Sequence, residues 1–298
     1  MLLIASLLAS ASLLLPQDEG SAATTDTVRT FLQQAEAALY NPTGDGLQTL
    51  SFVVPITFPR DQLNEMMAPS GQKLPEGTPE TLRLAHSSVT WEADGSPQLS
   101  GSVSDDFPPA LAMMRAQIQG SLDRMGKQVL AVALNKMVEF GPLLENFDAA
   151  FDGAEGDDLR VLFTRKPGTV ATVIPADSIV WLFDQDDNLP VGSQMSFSQK
   201  GPMGEMTMDL KTRFEWKPAR GDDGALILSA MSATNSFGAM TMKQRTVYRH
   251  AEQQGVIMLT GYSETVSQEG PMAAPADMTK QVELEGLSVN SGARGAEG

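Results

Sequence analysis

The run Glu205-Met206-Thr207-Met208-Asp209-Leu210-Lys211-Thr212-Arg213-Phe214-Glu215-Trp216 decides the fold class. Met206, Met208, Leu210, Phe214 and Trp216 alternate with Glu205, Thr207, Asp209, Lys211, Arg213 and Glu215. A period of two places successive side chains on opposite faces of a strand, so one face here is greasy and the other wet, as in an antiparallel sheet with one solvated side.

The same period extends in both directions. Leu159–Thr164, Thr169–Pro175, Ile179–Asp184, Gln194–Gln199, Ala225–Thr234, Met240–His250, Val256–Val266 and Met278–Val289 all read as strands. Turn signals separate most of them: Lys166-Pro167-Gly168, Asp186-Asp187-Asn188, Gly201-Pro202, Gly221-Asp222-Asp223-Gly224 and Gln254-Gly255. Connections this short join antiparallel neighbours, because a parallel pair needs a long crossover. Gly204-Glu205-Met206-Thr207-Met208 also recurs as Gly238-Ala239-Met240-Thr241-Met242, which reads as two similar strands two positions apart in a meander.

Upstream the period changes. Thr24-Thr25-Asp26 caps a helix carrying Val28, Phe31, Leu32, Ala35, Ala38 and Leu39 at helical spacing, stopped by Asn41-Pro42, Gly44 and Gly46. Leu47–Phe58 reads as a strand whose later half Pro55 confines to an edge or bulge. Ala68–Glu80 reads as an exposed loop, and Thr81–Trp91 with Pro97–Val103 as a hairpin across Asp94-Gly95. Asp105-Asp106 and Pro108-Pro109 then open a long helix whose stripe Leu111, Met114, Ile118, Leu122, Met125, Val129, Val132 continues through Met137 to Phe140. Such a helix spans about 50 Å, so a bend is expected near Gly120 or Gly126. A shorter helix is expected to carry Leu144, Phe147 and Phe151.

These elements give an α+β protein: a large curved antiparallel β-sheet, half-barrel or open barrel, with amphipathic helices packed on one face. The expected layout is a signal peptide over 1–23, a single domain over 24–290 with a helical insertion at about 105–151, and a disordered Gly/Ala/Ser-rich tail over 291–298. Met1–Leu15 is uncharged and almost wholly Leu, Ile, Ala and Ser. It has the length of a signal-peptide core and falls short of the ~20 residues of a membrane span, so the sequence predicts export to a bacterial envelope and no transmembrane segment. No Lys or Arg precedes the run.

Charge and composition exclude several partners. A formal charge of −16 repels phosphate backbones and anionic membrane surfaces, so nucleic acid is not an expected partner. Without cysteine there is no disulfide, thiolate nucleophile or Cys-bound metal. His86 and His250 each sit in a strand pattern without a partner motif. Ser70-Gly71-Gln72-Lys73 has Ser-x-x-Lys spacing but lies in a Pro/Gly loop without companion motifs. Asp184, Asp186 and Asn188 open like a calcium loop, yet Leu189 replaces the required Gly and Met195 the bidentate Glu; a polar hairpin turn is the simpler reading. Asp152, Asp157 and Asp158 form a second acidic loop. No catalytic residue, cofactor or metal ligand is assigned.

The positive signal is methionine, 17 in all, concentrated in the β-region. Met is flexible and polarisable, so Met-lined surfaces adapt to varied apolar ligands, although Met also fills irregular cores. The candidate ligand-contacting residues are Met206, Met208, Leu210, Met240 and Met242 on the strands with Met114, Ile118 and Met125 on the long helix. The leading function is non-catalytic binding of an apolar small molecule or lipid. An envelope scaffold with a closed core, and a hydrolase with unrecognised carboxylates, remain as alternatives.

The layout also resembles a known group. An apolar leader, an N-terminal amphipathic helix and a long antiparallel meander, together with Trp181-Leu182-Phe183-Asp184 turning through Leu189-Pro190 into Ser193–Phe197, are similar to the bacterial periplasmic lipoprotein-carrier (LolA-like) half-barrels. The resemblance implies an open half-barrel binding acyl chains between sheet and helices. The Pro108–Phe140 helix is larger than that group usually carries, and no functional residue transfers.

Overall fold

The computed structural model describes residues 26–68, 71, 73–105, 107–169, 174–201, 204–221, 224–270 and 277–291. The order is α1 (Asp26–Ala37), β1 (Leu47–Pro59), α2 (Arg60–Met67), β2 (Thr81–Glu92), β3 (Gln98–Val103), a 3-10 turn at Pro109–Leu111, α3 (Ala112–Ala133) and α4 (Gly141–Asn146). Strands follow: β4 (Phe147–Glu155), β5 (Asp158–Arg165), β6 (Ser178–Asp184), β7 (Pro190–Gly201), β8 (Gly204–Pro218), β9 (Leu226–Phe237), β10 (Met240–Gln253), β11 (Val256–Glu269), β12 (Met278–Glu283) and β13 (Glu285–Ser291). A nine-stranded sheet runs β12-β11-β10-β9-β8-β7-β6-β5-β4, and a four-stranded sheet runs β13-β1-β2-β3. The larger sheet is an open meander in strict chain order; most of its turns are short, as antiparallel neighbours allow, the link from Arg165 to Ser178 being the long one, and the α+β class stands.

By its packing the chain divides into two compact units. One takes the described residues of Met1–Asn41, Asn135–Tyr248 and Glu264–Thr279; the other takes Pro42–Leu134, Arg249–Ser263 and Lys280–Gly298. The stretch read as a signal peptide, 1–23, and all of the expected tail over 291–298 except Ser291, which belongs to β13, lie outside the described residues.

In the second unit α3 packs on β2 and β3. Small residues let the backbones approach. A Cβ added at Gly126 would sit 2.6 Å from Ser87 Oγ, and one at Gly101 would sit 2.5 Å from Leu122 Cβ. Gly126 is therefore a contact point for the sheet, and α3 runs through Gly120 and Gly126 as one uninterrupted helix. The stripe residues Leu111, Ile118, Leu122, Val129 and Val132 are buried, and Met125 is half-buried.

The helix ends at Ala133, short of the expected Phe140. Asn135 adopts φ 53°, a left-handed conformation that Asn tolerates better than most residues and that commonly stops a helix. Its buried side chain then binds backbone: Nδ2 donates to Tyr40 O at 3.0 Å and Leu226 O at 3.1 Å, and Oδ1 accepts from Leu228 N at 3.3 Å. Phe140, expected to close the stripe, is buried in the first unit instead, and Met137, expected to continue it, is half-buried there.

Other boundaries move for local reasons. Phe147 and Phe151 lie on β4 rather than a helix, since α4 stops at Asn146 and Lys166 Nζ caps its Leu144 carbonyl at 2.8 Å. No strand forms at Thr169 or at 174–177, where Arg165 Nη2 donates to the carbonyls of Ile174 and Ala176; residues 170–173 lie outside the described set. Met278–Val289 is two strands, β12 in the large sheet and β13 in the small one, parted at Leu284 with Gly286 at φ +58°. α2 has no counterpart in the sequence reading. Pro55 lies where predicted: β13 leaves β1 after Val53, so the later half of β1 pairs only with β2.

Candidate functional site

The register of the large sheet resolves its greasy face into cross-strand rows. At one end Phe197 faces Met208, Met208 faces Phe237 and Phe237 faces Met240, and all of these side chains are half-exposed. The next row inward is Ile179, Met195, Leu210, Asn235 and Met242, buried except for half-exposed Met195. Deeper still come Trp181, Ser193, Thr212, Ala233 and Gln244, all buried. Phe214, Met231 and Thr246 form the row beyond.

Aromatic side chains cover the β4–β6 part of this face. Phe31 of α1 meets Phe183 at 4.9 Å between centroids and Phe151 at 5.3 Å. Phe140 meets Trp181 edge-on at 5.0 Å, and Trp181 stacks on Phe214 at 5.7 Å. Glu36 of α1 holds Phe140 by accepting its backbone N–H. Burial raises the pKa of this carboxyl; the amides of Phe140 and Gly141 oppose the rise.

The opposite face carries the charge. Thr207, Asp209, Lys211 and Arg213 are exposed while Leu210 and Phe214 are buried, as the alternation requires. Arg213 pairs with Asp158 at 2.6 Å, Lys243 with Glu269 at 2.5 Å, and Arg245 Nη2 donates to Glu215 Oε2 at 2.9 Å. Asp158 thus serves an ion pair, as does Asp152, which Arg160 Nη2 reaches at 2.9 Å. In the Asp184–Leu189 turn the carboxylates cap backbone: Asp184 Oδ1 accepts from Asp186 N at 2.8 Å and Asp187 Oδ1 from Leu189 N at 3.0 Å. Ser102 Oγ lies 3.4 Å from the His86 ring nitrogens. Among the described residues no three metal-binding side chains converge.

Of the residues singled out by sequence, the structure brings Met208, Leu210, Met240 and Met242 together around β9. The side chains of Met206 and Met114 lie outside the described set. Ile118 and Met125 belong to the other unit, on the helix that packs against β2 and β3. The echo between the starts of β8 and β10 is a real adjacency, since both flank β9, although Met208 and Met240, not Met206 and Met240, share a row.

Sequence reasoning missed the polar atoms within this face. Asn235 Oδ1, Gln244 Oε1 and Trp181 Nε1 are buried with no hydrogen-bond partner among the described residues. The signal was available: Asn235 and Gln244 are amides at the inward parity of otherwise apolar strands. Gln244 Nε2 donates to Glu264 Oε1 at 2.8 Å. A carboxylate only accepts, which fixes the amide orientation and leaves Oε1 as the unmet atom. Tyr248 lies on the same face of β10; burial foremost, then the Glu264 charge, raises its phenol pKa.

No family model matches the chain, and no curated protein does. Among solved structures it is similar to a LolA superfamily protein from Nitrosomonas europaea, at 8% identity over 91% of this chain and 95% of that one, with a TM-score of 0.26.

Proposed function

We propose that this is a non-catalytic binding protein for an apolar ligand of the lipid class, held on the greasy face of β7–β10. The carrying observation is the half-exposed row Phe197–Met208–Phe237–Met240. Single exposed apolar residues are ordinary, but a contiguous apolar patch marks an interaction surface. Methionine gives that surface pliability, so it can close on flexible chains. The row leads inward to Met195, Leu210 and Met242, which supplies an apolar path from solvent towards the interior of the face. Export belongs to the same reading and rests on the uncharged Met1–Leu15 run.

Native mass spectrometry of the purified chain should reveal co-purified lipid. Titration with N-phenyl-1-naphthylamine should give saturable fluorescence enhancement. Met208→Trp fills the row and should abolish enhancement with the melting temperature preserved. Saturable binding unaffected by that substitution would move the site elsewhere; no saturable binding at micromolar protein would favour a scaffold.

A further inference from the structure

Within the greasy face, Asn235 and Gln244 occupy adjacent strands and adjacent rows, because Asn235 faces Met242 and Gln244 faces Ala233. Diagonal neighbours of this kind lie about 7–8 Å apart, close enough for both side chains to reach one ligand group. Asn235 is 7% exposed and Gln244 9%, and each holds a carbonyl oxygen without a partner among the described residues. A buried acceptor left unmet is costly, and native proteins rarely leave two together. Both sit inward of the half-exposed row, at roughly 7 and 14 Å along the strands, since two residues advance a strand by about 6.8 Å.

The charges around this pair exclude one large class of lipid. Lys211, Arg213, Lys243 and Arg245 all project from the opposite, wet face. No Lys or Arg occurs in the rows from Phe197–Met240 to Phe214–Thr246, whereas the Glu264 carboxylate touches Gln244. A free carboxylate or phosphate head would meet acceptors and a negative charge, with no Lys or Arg in these described rows to offset its desolvation.

Resting on the apolar-ligand reading, we infer that the Asn235–Gln244 pair is a headgroup subsite for a neutral lipid that donates hydrogen bonds through a hydroxyl or amide N–H. The ligand enters head-first: the donor reaches Asn235 Oδ1 and Gln244 Oε1, and the chain lies back across Met208, Phe237 and Met240. Glu264 positions the subsite by holding Gln244 through Nε2, which keeps Oε1 turned to the ligand. An ordered water bridging the two oxygens is the competing occupant, and it gives no preference among headgroups.

The test is displacement of N-phenyl-1-naphthylamine from the full chain at pH 8 by dodecanol, methyl laurate and laurate, which share chain length. The inference expects dodecanol to bind about tenfold more tightly than methyl laurate, the worth of one or two buried hydrogen bonds, and laurate to bind weakest. Gln244→Met and Asn235→Leu should each erase the dodecanol advantage while leaving methyl laurate affinity intact, which also shows that the variants fold. If wild type binds the probe but ranks alcohol and ester alike, or prefers laurate, the headgroup subsite is overturned and the apolar-ligand reading survives. If the probe does not bind, both fall.

Discussion

Gly126 of α3 lies so close to Ser87 of β2 that a methyl group added at residue 126 would stand 2.6 Å from the serine hydroxyl. Leu99 Cδ2 and Val89 Cγ2 close the other sides at 3.2 and 3.3 Å. Gly126→Ala should therefore destabilise by about 1–3 kcal/mol through overpacking. Gly120, exposed on the same helix with nothing within 4 Å of an added Cβ, should behave oppositely, Gly120→Ala stabilising by about 0.5–1 kcal/mol. Ser87 Oγ is itself buried without a partner among the described residues, so Ser87→Ala should be neutral or stabilising and partly rescue Gly126→Ala. Urea melts of the two singles and the double measure that coupling, and strict additivity would sink it.

Asn135 combines a left-handed backbone with three backbone hydrogen bonds. Asn135→Ala strands two carbonyls and an amide and also strains the backbone, for an expected loss of about 2–4 kcal/mol. Asn135→Gly relieves only the strain, so it should fall between wild type and Ala. Asn135→Asp should be the most damaging, since a carboxylate would face the Tyr40 and Leu226 carbonyls. Thermal denaturation that ranked Asp above Ala would contradict this.

Sheet polarity gives a third contrast. Leu210→Asp places an unpaired charge at a position 6% exposed and should cost about 3 kcal/mol or more, whereas Lys211→Ala on the wet face should stay within about 0.5 kcal/mol of wild type. Comparable losses at both sites would mean that the two faces are not distinct.

Glu36 links stability to pH. Burial raises its folded-state pKa above the ordinary 4.5, so the folded protein favours the protonated carboxyl. The stability that this group contributes is complete below 4.5 and declines as pH rises through the raised value. Glu36→Gln removes that dependence. Relative to the glutamine variant, wild type should therefore lose stability as pH climbs from 4.5 towards neutrality, and parallel profiles for the two proteins would refute the linkage.

How much of this was legible beforehand depends on which force set each element. Glu205–Trp216 could be read because its alternation is a property of the strand itself, and most of the meander followed from turns too short for any other connection, the Arg165–Ser178 link excepted. The end of α3 could not be, because Met137 and Phe140 keep helical spacing; Phe140 is claimed by another core once Asn135 turns the chain. Phe147 and Phe151 misled for the same reason, since a spacing of four suits both a helix face and one side of a strand. α2 spans only 8 residues, Arg60–Met67, too few for the Leu63–Met67 spacing to stand out. The candidate site was half visible: methionine content pointed to the β8–β10 face, but Asn235 and Gln244 acquire meaning only when register sets them side by side.

The break at Leu284 carries a consequence for biosynthesis. β13 completes the small sheet by pairing Leu47 with Ser291 and Leu50 with Val289, partners from opposite ends of the described chain. A nascent polypeptide emerging from the ribosome holds β1, β2 and β3 long before that mate exists, so the β1 edge must wait, unpaired, through the synthesis of every later strand. Contacts of such high sequence separation are slow to form and leave a strand edge available to other chains meanwhile. The reach of β13, which ends at Val53, limits that exposure to Leu47–Val53, which is where a holdase chaperone would find this protein most in need of cover.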